Sequence, residues 1–144
     1  MNRKTLSIMA GVALMTAAGV VSGYAQDTRL QVHVPFAFSV KNSTLPAGDY
    51  KLGQLSQSVW VIRNSEGRPA VIAMSHPDRI DAKLAEDSAS VAFERCGDRY
   101  FLSGLQVGTQ TSAIPETEAE RALQREMARG GLKPETIYVL ASVR

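Results

Sequence analysis

From Leu30 to Val40 every even position is apolar (Leu30, Val32, Val34, Phe36, Phe38, Val40), while Gln31, His33, Pro35, Ala37 and Ser39 fill the odd ones. Side chains on a strand alternate faces with a period of two, so this spacing buries one face of an extended segment and wets the other. Wound into a helix, the same six residues would be spread around the whole circumference. The stretch therefore calls for a sheet, with a second layer to cover its apolar side. Pro35 has no N–H to give to a ladder, which predicts an edge strand or a break into two shorter strands near that point.

What precedes this stretch has the layout of a secretory signal. Arg3 and Lys4 supply the positive start, Leu6 to Val21 carries no charge, and Gly23-Tyr24-Ala25 places small residues where a signal peptidase inspects them. The reading is a signal peptide over residues 1–25, cut after Ala25 so that Gln26 starts a single β-rich domain over 26–144. The rival reading is a retained membrane anchor, because an uncharged run of this length comes near a bilayer span. The small residues at the cut favour cleavage, which leaves no stable membrane span. The leader offers no cysteine for lipid attachment and no twin arginine, so the route is the general, Sec-type one. A periplasmic or secreted bacterial protein is expected.

Cleavage removes Arg3 and Lys4 but no acid, and leaves 14 basic against 14 acidic residues. A protein that competes for nucleic-acid phosphates shows a basic excess, so no nucleic acid is expected among its partners. Cys96 is the only cysteine, which excludes an intrachain disulfide. Its thiol is either packed and inert or paired between chains.

Along the domain, Lys41 to Thr44 is polar turn material. Pro46-Ala47-Gly48 then reverses the chain before Tyr50 opens a strand through Leu52. Leu45-x-x-Gly48-x-Tyr50 looks like a tyrosine corner, in which the hydroxyl bonds back to upstream backbone. Val59 to Ile62 and Pro69 to Met74 predict a hairpin around Asn64 to Gly67, and Ser90 to Glu94 with Tyr100 to Leu102 predict a second, the latter strand extending past Gly104 to Val107. His76 to Asp87 reads as a loop, with one irregular strand around Ile80 to Leu84. Thr117 and Glu120 form a capping box ahead of a helix over Glu118 to Arg129, ended by Gly130-Gly131. In that helix Ala119, Ala122, Leu123 and Met127 make an apolar stripe for a sheet. Thr136 to Val143 is a final strand with Ile137, Val139, Ala141 and Val143 on one face.

Residue types suited to catalysis are present without the spacing that catalysis uses. His33, His76 and Cys96 match no zinc pattern, so the histidines read as exposed and the thiol as packed, with no metal site. Ser75-His76-Pro77-Asp78 reads as a turn rather than a triad, whose members approach one another from different directions. Glu116, Glu118 and Glu120, with Asp78 and Asp81, are available as paired carboxylates. The first three, however, sit where they serve the helix cap and dipole. Asn42-Ser43-Thr44 is a formal glycosylation acceptor that also makes an ordinary turn. Trp60, Tyr100 and Tyr138 are candidates for an aromatic ligand platform, against the alternative that they are core or cross-strand partners.

Val34-Pro35-Phe36-Ala37-Phe38-Ser39-Val40, Leu45-Pro46-Ala47-Gly48-Asp49-Tyr50, Tyr100-Phe101-Leu102, Ile114-Pro115 and Glu118-Ala119-Glu120-Arg121 occur in that order. In these motifs the chain resembles small secreted β-rich proteins of soil bacteria that have no assigned function. The resemblance implies an exported β domain and supplies no catalytic residue.

Together these readings predict a mainly β protein: a β-sandwich or flattened barrel of seven to eight antiparallel strands, with one α-helix before the last strand. The expected role is a non-catalytic binding or structural module without a cofactor, its partner a protein, a glycan or a small molecule. Two alternatives stand beside it, a carrier of an apolar small molecule and an enzyme whose site is built from loops.

Overall fold

The computed structural model describes residues 29–77 and 88–143. The expected leader, its cleavage point and the irregular strand around Ile80 to Leu84 lie outside the described residues. In chain order the elements are β1 (Arg29–Val34), β2 (Phe38–Val40), β3 (Ser43–Leu45), β4 (Gly48–Ser56), β5 (Val59–Arg63), β6 (Pro69–Met74), β7 (His76–Pro77), β8 (Ala89–Cys96), β9 (Arg99–Val107), β10 (Gln110–Ala113), α1 (Glu118–Arg129) and β11 (Glu135–Val143).

All the strands belong to one sheet, ordered β3-β2-β9-β8-β11-β1-β4-β5-β6, with β10 joining β9 to β7. Only Ser75 separates β6 from β7, and its N–H donates to the Ser58 carbonyl at 2.8 Å. The sheet thus curls round through β6, β7 and β10 to return to β9, forming a nearly closed barrel. Closure of this kind removes most of the unpaired edge that an open sheet of this width would expose.

The described residues alone form eleven strands, where seven or eight are expected for the domain. Part of the difference is three very short strands: Pro35 splits the first apolar run into β1 and β2, Ser43–Leu45 folds back on β2 where a plain turn was expected, and His76–Pro77 pairs with Ser112 and Ala113 instead of lying in a loop. The strand β10 was not anticipated, because Gly108-Thr109-Gln110-Thr111 carries little apolar signal. One link is parallel rather than antiparallel, at Ser39 opposite Phe101.

The inward faces fill the barrel. Val32, Val34, Phe38, Leu52, Ile62 and Phe93 are among its buried residues, and Phe93 takes Phe36 and Phe38 edge-on at ring separations of 5.0 and 5.2 Å. The void left among these side chains measures about 10 Å³. That is at or below the room one water molecule needs. A bulge in the β8–β9 pairing, where Ala92 faces Gly104 but Phe93 faces Leu102, lets Leu102 and Leu105 both reach the core although three positions separate them.

Thr117 caps α1 with an extended backbone, and its hydroxyl oxygen accepts the Glu120 N–H at 3.2 Å. The helix lies against β8. The expected apolar stripe is not what it buries: Ala119 and Ala122 are exposed, Leu123 and Met127 are half-buried, and Glu120 is the buried residue. The helix is covered most tightly at its first turn rather than along its length, because its N-terminal end meets the outer face of β8.

Candidate functional site

Two regions of the outer surface gather polar side chains. The first spans β11, β1, β4 and β5. Antiparallel register sets Gln31 opposite Lys51 and His33 opposite Asp49, and on the other side Gln31 opposite Ser142. These residues point away from the core, and His33 Nδ1 lies 2.7 Å from Asp49 Oδ1. With Ser65 and Leu140 they line a concavity of about 640 Å³. A second one, of about 780 Å³, continues across Gln31, Lys51, Leu55 and Arg63. Leu140 is 73% exposed and Tyr138, two residues before it on the same face, 49%.

The second region joins β8 to the start of α1. Carboxylate oxygens of Glu94, Glu116 and Glu120 lie within 4.8 Å of one another. Glu94 is half-buried on β8, Glu116 is exposed just before the cap, and Glu120 is only 3% exposed. Glu116 accepts a hydrogen bond from Gln124 Nε2 at 3.2 Å and faces Arg121 at 3.9 Å. Burial, then the charges of Glu94 and Glu116, push the Glu120 carboxyl up to about 7, against the opposing effects of a hydrogen bond from the Thr117 backbone and of Arg121. Burial and the Glu116 charge raise Glu94 too, opposed by a hydrogen bond with Glu120. Cys96, buried two residues beyond Glu94, has its thiol pushed up to about 11 by burial and by the same three acids. At neutral pH it is therefore protonated, a poor nucleophile and a poor metal ligand. The acids themselves have the chemistry to hold protons or a hard cation.

The candidates named from sequence fall in separate places. Trp60 is 2% exposed and lies in the core with its indole Nε1 unpartnered, so it takes no part in a surface platform. Tyr100 is half-buried and stacks on Phe36 with centroids 3.8 Å apart, while Tyr138 is on the outer face of β11. Tyr50 is buried, and its hydroxyl donates to the Pro46 carbonyl; Gly48 opens the same strand opposite Val34. Thr117 and Glu120 are joined at the cap, and Glu120 also belongs to the carboxylate group. Sequence reasoning missed Glu94, which stands 22 or more residues from its partners and is brought to them only by the docking of α1.

The described residues define a mainly β protein with a nearly closed barrel-like sheet, a filled interior and one helix before their last strand. The chain matches no family model, no curated protein and no solved structure.

Proposed function

We propose that the protein is an exported, non-catalytic binding module that engages a protein partner through the outer face of β11, β1 and β4. The observation that carries this reading is Leu140, largely exposed in mid-strand at the rim of a concavity lined by His33, Asp49 and Lys51. Apolar side chains standing among charged ones on one open face are the make-up of a surface that associates with another protein. The filled barrel interior supports this reading over that of an apolar-ligand carrier, which needs an enclosed cavity of a few hundred Å³. Export accounts for the leader, and mass spectrometry of exported material should find an N-terminus at Gln26; an intact Met1 overturns that part.

Photo-crosslinking in the exporting cell tests the surface. A crosslinking residue at position 140 should give one discrete protein adduct, lost on adding Lys51→Glu, while the same residue at the exposed helix position 126 gives none. Equal labelling at 140 and 126, or none at 140, overturns the proposal; an adduct at 140 with a glycan or small molecule replaces the protein partner.

A further inference from the structure

We propose that Glu94, Glu116 and Glu120 form a calcium-binding site at the seam between β8 and the first turn of α1. The carboxylate oxygens lie within 4.8 Å of one another. Two oxygens bound to one Ca²⁺ at about 2.4 Å are at most about 4.8 Å apart, so separations up to that length are compatible with a shared coordination sphere. Mg²⁺ is smaller and demands near-ideal octahedral geometry, which three side chains from a strand, a loop and a helix are less suited to supply.

A second observation points the same way. Glu120 Oε1 has no hydrogen-bond partner although the residue is 97% buried, and its carboxylate is turned toward the other two; the hydrogen bond between Glu94 and Glu120 needs a proton on one of them and is lost when both ionise. A buried carboxylate oxygen without a partner is costly, and a cation among the three acids supplies the missing interaction. Among the described residues no basic side chain reaches Glu94 or Glu120 within ion-pair distance. Arg121 lies 3.9 Å from Glu116 and 3.7 Å from Glu118, too far for a hydrogen bond to either. The donor set is three carboxylates and so all oxygen, which suits a hard cation over zinc. The site is on the same outer face of the sheet as Leu140, four residues along β8 from Ser90, which pairs with Leu140, and none of its three carboxylates belongs to the partner surface proposed above.

Titration calorimetry of the chelator-treated exported chain with CaCl₂ at pH 8 tests the site. One Ca²⁺ per chain is expected, with a dissociation constant on the order of 10⁻⁴ to 10⁻³ M, the range of extracellular calcium modules. Binding should weaken at least tenfold for MgCl₂, and at least tenfold for CaCl₂ in Glu94→Gln and in Glu116→Gln. Neither variant touches the Thr117–Glu120 cap, so circular dichroism should show both folded. No saturable Ca²⁺ binding, or binding unchanged in both variants, overturns the proposal. So does a thermal stability that follows pH but ignores Ca²⁺, because the three acids then only share protons.

Discussion

The hydroxyl of Tyr50 donates a hydrogen bond to the carbonyl of Pro46, four residues upstream, and so ties the start of β4 to the turn that feeds it. The ring of Tyr50 also meets Phe38 edge-on at 5.2 Å. Tyr50→Phe keeps the ring and removes only the hydroxyl. A loss of about 1 kcal/mol in urea unfolding is expected, the net worth of one such bond plus an orphaned carbonyl; no measurable change would mean that the turn does not rely on it.

Phe93 is the hub of the aromatic core, with Phe36 and Phe38 both against it. Phe93→Ala removes a fully buried ring that its neighbours cannot replace. The expected cost is about 3–5 kcal/mol by denaturant titration, and a cost under about 1 kcal/mol would imply a core able to collapse around the gap.

Lys41 is the one non-glycine residue with positive φ among the described residues, at 53°, in the turn between β2 and β3. A side chain in that region costs about 1–2 kcal/mol. Glycine relieves the strain but adds freedom to the unfolded chain. Lys41→Gly should therefore raise stability by a few tenths of a kcal/mol to about 1 kcal/mol, read as a higher urea midpoint with unchanged slope.

Glu120 titrates at about 7 in the folded protein and at about 4.5 when unfolded, so the native state holds the proton more tightly. The stability this contributes is fully present below about 4.5 and is lost as pH rises through about 7. Glu94, raised in the same direction, adds to the trend, and Arg121 opposes it. In chelator, the melting temperature should fall between pH 5 and pH 8. Glu120→Gln, which can still serve the capping box, should flatten that slope.

Cys96 is enclosed and its thiol is raised to about 11. Iodoacetamide should label it slowly in the native protein and rapidly in denaturant, as followed by mass spectrometry. Native gels should show no dimer that reductant dissolves. Rapid native labelling would show that α1 leaves β8 often enough to expose the thiol.

Much of the strand layout was readable because period-two alternation is a local property. Leu30, Val32 and Val34 announce their face without help, and the Asn64 to Gly67 turn announces its hairpin. The alternation fails at β9, where Leu102 and Leu105 both turn inward across a bulge, and at β10, where Gln110 to Ala113 has almost no apolar content and is held by its neighbours. The helix shows the same division. Thr117, the acids behind it and Gly131 mark its limits, yet its apolar stripe names only part of the covered face, Leu123 and Met127 but not Glu120, because the face a helix buries depends on where it lands.

Local chemistry alone determined that the chain makes strands around an apolar interior, that Pro35 puts the first of them at an edge or breaks it, and that Thr117 starts the helix. These follow from side-chain alternation, a missing N–H and a hydroxyl cap, none of which needs a distant partner. Only the tertiary structure decided that the sheet curls into a nearly closed barrel, that Trp60 faces inward while Tyr138 faces out, and that Glu94 meets Glu116 and Glu120. The reason is that each of these depends on pairings between residues far apart in the chain, and the free energy that selects them comes from packing the whole sheet and helix at once.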